Sequence, residues 1–226
     1  MVDYNNTKDD EDKFKEKRKP KAPIKKLNTS LNEEQKAVKE CAFRYDVNFI
    51  FGRAAAGKTL CATNIALDML FKGEVRQIVV CRPFDFKATG FLTGALEEKL
   101  QYHMMPILHN FYQAYDHAKI DELYKEGTIK ILPIPYLRGV TFSNAAVICD
   151  EIQEMDYESF ELVLTRLGKG SKILFTGSQE QNVMGSKSCI DKVMKLKDSG
   201  LVCFHELKEN HRNEAIFGIL DYIKNN

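Results

Sequence analysis

The run Gly52-Arg53-Ala54-Ala55-Ala56-Gly57-Lys58-Thr59 constrains this chain more than any other stretch of it. It reads Gly-x4-Gly-Lys-Thr. It stands between a short β-rich run, Val47-Asn48-Phe49-Ile50-Phe51, and a segment of helical periodicity from Lys58 to about Phe71. In a strand–loop–helix setting, glycines let the backbone curl so that successive N–H groups face one anion. The following helix adds its positive end. This is the Walker A pattern, and the anion it suits is a nucleotide's phosphate chain. Lys58 is placed for the β- and γ-phosphates and the Thr59 hydroxyl for Mg²⁺, with Leu60 completing the nucleotide-binding run Gly52 to Leu60. Taken alone, the loop could also be a glycine turn before an ordinary helix.

The rest of the chain supplies the strands such a loop requires. Buried strands are predicted at Gln77–Cys81, Ile129–Leu132, Ala145–Cys149, Lys172–Thr176 and Leu201–Phe204. Ser30-Leu31-Asn32-Glu33 has the capping-box pattern and opens a helix to about Phe43. Further helices are expected over about 95–125 (interrupted at Pro106) and near 156–167, 188–197 and 213–224. Short continuous apolar strands alternating with helices predict an α/β fold with a mostly parallel sheet covered on both faces. There is no internal repeat.

A phosphate loop calls for an acidic partner at the end of a neighbouring strand, and Ala145-Ala146-Val147-Ile148-Cys149-Asp150-Glu151 supplies it. The strand is wholly apolar and small, and its two carboxylates emerge at the carboxyl end, where ligands bind in such sheets. Asp150 is the candidate Mg²⁺ ligand and Glu151 the candidate general base for water. An Asp-Glu pair after a strand can also be a plain helix start. A small-molecule kinase usually needs no second carboxylate, so the pair favours hydrolysis of ATP.

Charge is unevenly spread. Residues 1–26 hold nine basic and six acidic side chains, while the whole 226-residue chain has a formal charge of only +1. Residues 1–27 therefore read as a basic arm, disordered when alone, ahead of a single domain over 28–226. The arm could hold phosphate backbones or act as a solubilising tail. No apolar run approaches the roughly 20 residues of a membrane span, and no secretory signal opens the chain. The six cysteines show no paired zinc spacing and read as free thiols of a cytoplasmic protein. His103, His109 and His117 lack metal-spaced partners, and the Tyr102–Tyr115 aromatic and Met stripe reads as core or subunit interface.

Beyond these motifs, several blocks resemble the PhoH-like family of ATPases, relatives of the motor core of superfamily-one helicases. They are Arg82-Pro83 through Gly90-Phe91-Leu92-Thr93-Gly94 to Glu98-Lys99, Tyr136-Leu137-Arg138-Gly139-Val140-Thr141, Asp150-Glu151-Ile152-Gln153, and Leu164-Thr165-Arg166-Leu167-Gly168-Lys169-Gly170-Ser171-Lys172. The resemblance spans about Leu31 to Ile223 and implies a RecA-like P-loop NTPase fold with ATP and Mg²⁺ as ligands. Leu31-Asn32-Glu33-Glu34-Gln35 is similar to the glutamine motif, which makes Gln35 the candidate adenine reader; a solvated helix residue is its bland alternative. Thr176-Gly177-Ser178-Gln179-Glu180-Gln181 is similar to the γ-phosphate-sensing motif, with Gln181 as sensor and Ser178 where the family has aspartate. Leu207 through Asn210-His211-Arg212 is similar to the next helicase motif, so Arg212 becomes a candidate charge stabiliser, with Arg166 and Arg138 as others. Ala55, Ala56 and Thr93 also depart from the family pattern.

The function implied is Mg²⁺-dependent ATP hydrolysis, with RNA or DNA as partner. A slowly hydrolysing ATP switch or assembly protein and a small-molecule phosphotransferase are the alternatives. Superfamily-one motors close ATP between two similar domains, and only about 50 residues follow the sensing motif here. A homo-oligomeric ring, a hexamer by expectation, would close the site with an arginine in trans, Arg166 or Arg138, and Arg212 in cis.

Overall fold

The computed structural model describes residues 27–28, 30–83, 96–182 and 184–209, together with 218, 219 and 222. Side-chain placements begin at 105 within the helix that follows the second strand, and exclude 186. Residues 1–26 of the basic arm, residues 84–95 of the first family block, the sequence Asn210-His211-Arg212 and most of the last expected helix lie outside the described residues.

The elements in chain order are α1 (Glu33–Arg44), β1 (Val47–Gly52), α2 (Lys58–Phe71), β2 (Gln77–Arg82), α3 (Leu96–Ala114) and α4 (His117–Lys125). They continue with β3 (Ile129–Pro133), β4 (Ala145–Cys149), α5 (Tyr157–Leu164), β5 (Lys172–Gly177), α6 (Ile190–Met194) and β6 (Cys203–Leu207). The six strands form one sheet in the order β3-β2-β4-β5-β1-β6. Every pairing among them is parallel, so the α/β prediction holds in its strictest form. All carboxyl ends therefore open on one edge, where β1 delivers Gly52 and β4 delivers Asp150.

Period-two alternation divides the strand side chains between two layers. Ile50, Ile78, Val80, Ala146, Ile148 and Leu174 face α1, α2, α3 and α4. Phe49, Phe51, Val79, Val147, Ile173 and Phe175 face α5 and α6. In this second layer Phe49 stacks on Phe175 with centroids 5.0 Å apart, fixing β1 against β5. Small residues let α2 sit close to the sheet: Cys61, Ala62 and Ala66 are fully buried.

Three expectations are corrected. Pro106 does not interrupt its helix, because α3 runs unbroken from Leu96 to Ala114. The break comes at Asp116, whose carboxylate caps α4 by accepting the Lys119 N–H at 3.1 Å. The capping box of α1 is Asn32 with Gln35 rather than Ser30 with Glu33: the Asn32 side chain accepts from Gln35 N–H at 2.8 Å, and Gln35 Oε1 accepts from Asn32 N–H at 3.2 Å. The cysteines are not all free, since Cys41 of α1 and Cys203 of β6 are joined as a disulfide with Cα atoms 6.0 Å apart. A separation of 162 residues hides that pair from any spacing rule. Cys61, Cys81, Cys149 and Cys189 are buried thiols, as expected of small apolar side chains.

Candidate active site

The loop after β1 is shaped by where its backbone must go. A Cβ on Gly52 would lie 2.7 Å from the Leu207 carbonyl oxygen of β6, so only glycine fits there. Gly57 caps α2 in the left-handed region (φ +75°) and turns the first N–H groups of the helix toward the loop's hollow. Ala55 also has positive φ (+63°), a conformation that costs an L-residue about 1 kcal/mol. Lys58 is buried, and its ammonium donates to the carbonyls of Gly52 (3.0 Å) and Arg53 (2.9 Å). Burial pulls its pKa down, while the Glu151 and Asp150 carboxylates oppose that shift.

The two motifs read from sequence meet. The Thr59 hydroxyl donates to Asp150 Oδ1 at 2.8 Å, and the Thr176 hydroxyl of β5 donates to the same oxygen. Burial and then the Glu151 charge push the Asp150 carboxyl up; Thr176, Arg82 and Thr59 pull the other way. A buried, acidic oxygen beside a threonine hydroxyl is a donor set of hard oxygens that fits Mg²⁺ with water filling its remaining positions. Thr59 and Asp150 are the residues that would hold it.

Glu151 follows directly, in the left-handed region at φ +58°. That backbone turns its carboxylate away from the strand line. Oε1 lies 3.7 Å from an Arg82 nitrogen, and Oε2 accepts from Gln153 Nε2 at 2.5 Å. Gln153 is itself buried, and its Oε1 accepts the Ser178 N–H at 3.0 Å. One side chain thus links Glu151 to the start of the loop that carries Gln181. Arg53 and Glu180 make a second link between the same loop and the phosphate loop, at 3.3 Å.

The other predicted residues are placed less closely. Gln35 is buried at the start of α1, held in its capping box near the end of β6. There Glu34 accepts from Lys208 N–H at 2.9 Å, and Asn32 donates to Glu209 at 2.7 Å. Gln181 is exposed past the end of β5, and Ser178 is buried with no partner for its hydroxyl. Arg138 is exposed after β3, at the carboxyl edge but on the far side of β2 and β4 from the loop. Arg166 is at the opposite edge: its carbonyl accepts from Phe142 N–H, ahead of β4. Its own nucleotide site is a sheet's length away. Arg212 lies outside the described residues.

Three contributors carried no assigned role in the sequence reading: Arg82, Thr176 and Gln153. Each had a signal. Arg82 and Thr176 are polar residues terminating apolar runs, and Gln153 follows the acidic pair by two. What no pattern supplied was that β5 lies between β1 and β4, which puts Thr176 and Ser178 beside the carboxylates.

The description of a PhoH-like protein family matches residues 28–223. The chain belongs to the PhoH-like family. The match agrees with the span inferred from the motifs. A PhoH-like protein of Synechocystis sp. is 36% identical over 140 residues, covering 61% of this chain and 43% of the relative. A PhoH-like protein of Bacillus subtilis is 35% identical over 140 residues, covering 61% and 44%. This PhoH-like chain thus spans under half the length of these curated relatives. Among solved structures, the Sulfolobus solfataricus SWI2/SNF2 ATPase core in complex with dsDNA superposes with a TM-score of 0.51 at 13% identity, over 83% of this chain and 47% of that one. At that identity the likeness is one of fold, that of a RecA-like P-loop ATPase core. No helix among the described residues is long and apolar enough to cross a membrane.

Proposed function

We propose that this PhoH-like protein hydrolyses ATP with Mg²⁺, and that RNA or DNA binding is coupled to the reaction. The observation that carries the reading is the meeting of Thr59 and Asp150 at 2.8 Å, with buried Lys58 and half-buried Glu151 beside them. Lys58 would exchange its two carbonyl partners for β- and γ-phosphate oxygens. The α2 N-terminus and the loop N–H groups would take the remaining phosphate charge. Mg²⁺, when bound by Thr59 and Asp150, neutralises charge on the phosphates. Glu151 would accept the proton of the attacking water, and Gln153 and Arg82 hold its carboxylate in place for that. Gln181 and one of Arg212, Arg166 or Arg138 are assigned to sensing and stabilising the γ-phosphate.

The placement of Arg166 at the sheet's opposite edge favours a role in trans, and with it a ring of identical subunits. The exposed Arg138 is the other candidate. Gln35 is assigned to adenine: its Nε2 stays available while its Oε1 closes the capping box. A second reading, an ATP-binding switch with slow turnover, is favoured by one detail. Ser178 is buried and its hydroxyl unpartnered where an acidic residue would bring charge to the water network.

The deciding experiment measures phosphate release with and without RNA and DNA, on protein of known assembly mass, for wild type and Lys58→Ala. Turnover stimulated by nucleic acid and abolished in Lys58→Ala is expected. Tight ATP binding with negligible release would favour the switch, and release unaffected by Lys58→Ala would sink both.

A further inference from the structure

Outside the phosphate loop's hollow, one trio of soft ligands stands where α1 packs on the outer strand β6. Cys203 and His205 are two residues apart on β6 and so share one face of it. Cys41 of α1 covers that face. The two sulfurs and an imidazole nitrogen all lie within 4.8 Å of one another. It is the only such group of three among the described residues. We infer that Cys41, Cys203 and His205, with the cysteines reduced, form a binding site for a thiophilic divalent cation, zinc.

The geometry suits the ion. Bonds of about 2.3 Å to sulfur and about 2.0 Å to nitrogen put tetrahedral donors within 4 Å of each other, so small side-chain adjustments suffice. Cys203 is buried, whereas Cys41 and His205 are half-buried, so an ion can enter from the solvent side and keep a water in its fourth position. Binding is balanced by loss of two thiol protons: two Cys–SH and Zn²⁺ give two Zn–S bonds and two H⁺. The disulfide and the metal are mutually exclusive states of the same sulfurs, and the other four cysteines, buried free thiols, belong to neither. A metal here would tie α1, which carries Gln35, to β6, whose Leu207 backs Gly52. None of this depends on the assignment of ATP hydrolysis.

The test uses the full chain, reduced with a phosphine, freed of reductant and metal without air, and titrated with Co²⁺ and then Zn²⁺. One Co²⁺ per chain is expected, with a thiolate charge-transfer band and the intense d–d bands of a tetrahedral site, both erased by Zn²⁺. Cys203→Ser should weaken binding roughly a hundredfold or more and remove much of the charge-transfer intensity. His205→Asn should weaken binding while leaving the thiolate band, and Cys61→Ser should change neither. Because a variant can fail to fold, wild type is also alkylated with and without Zn²⁺ and mapped by mass spectrometry. Zinc-dependent protection of Cys41 and Cys203, reversed by a chelator, supports the site. Equal alkylation in both conditions, or a Co²⁺ spectrum unchanged in Cys203→Ser, overturns it.

Discussion

Asp150 illustrates the tension built into single residues of this site. Its carboxyl is raised by burial and by Glu151, despite two hydroxyl donors. A carboxylate whose folded value exceeds its unfolded one binds more protons when folded, so stability falls as pH rises from the ordinary carboxylate value through the raised one. Without a bound cation, Asp150→Asn should therefore raise the melting temperature at pH 7 by a few degrees, on the order of 1 kcal/mol, while ending hydrolysis. The gain should shrink at pH values below the ordinary carboxylate range. Equal melting of both proteins at pH 7 would mean that the hydroxyls fully compensate burial. Glu151→Gln should keep ATP binding and slow phosphate release by about two orders of magnitude or more. Gln153→Ala should lower turnover with nucleotide affinity nearly unchanged, since it frees Glu151 and unlinks Ser178; a loss confined to affinity would remove its positioning role. At this scale Walker A and the Asp-Glu pair were legible because their chemistry demands fixed spacing. Arg82 and Gln153 were not given roles, because theirs comes from neighbours on other strands.

At the scale of elements, β-strands were readable almost to the residue where apolar runs were pure, as in Ala145–Cys149. Edge strand β6 was displaced from the predicted Leu201–Phe204 to Cys203–Leu207, because half-buried His205 and exposed Glu206 dilute its apolar signal. Pro106 misled for a different reason. Proline breaks a helix by removing one N–H and crowding the preceding turn, yet a well-packed helix absorbs that cost, and Ile107 and Phe111 are fully inside the core. The Asn32–Gln35 box shows that a capping pattern two residues away can win when the Asn32 side chain also reaches Glu209, just past the end of β6. The close meeting of β1 and β6 makes a clear prediction. Gly52→Ala must push the Leu207 carbonyl away, so it should cost about 2 kcal/mol in denaturant unfolding and weaken ATP binding. Wild-type stability in that variant would mean the two strands can part freely.

For the whole molecule, the ring is the assignment with most at stake. Mixing Lys58→Ala subunits with Arg166→Ala subunits, each inactive alone, should restore part of the activity if Arg166 serves a neighbour's nucleotide. Absence of recovery, with Arg138→Ala recovering instead, would move the trans role to Arg138. Fold class was legible throughout, since strand and helix alternation leaves few architectures. Strand order was not, because sequence patterns do not state which strands are neighbours. That order has a consequence for how the protein is made. The strand that opens the phosphate loop, residues 47–52, pairs on its two sides with 172–177 and 203–207. While the chain grows from its N-terminus, this strand has no partner until residues 172–177, about three-quarters of the way through the domain, have been synthesised. The central slot stays open in the nascent chain, and contacts this distant in sequence form slowly. Competence to hold a nucleotide thus arrives late in folding, and a product truncated before residue 172 contains the whole Walker A sequence but no partner for the strand that carries it.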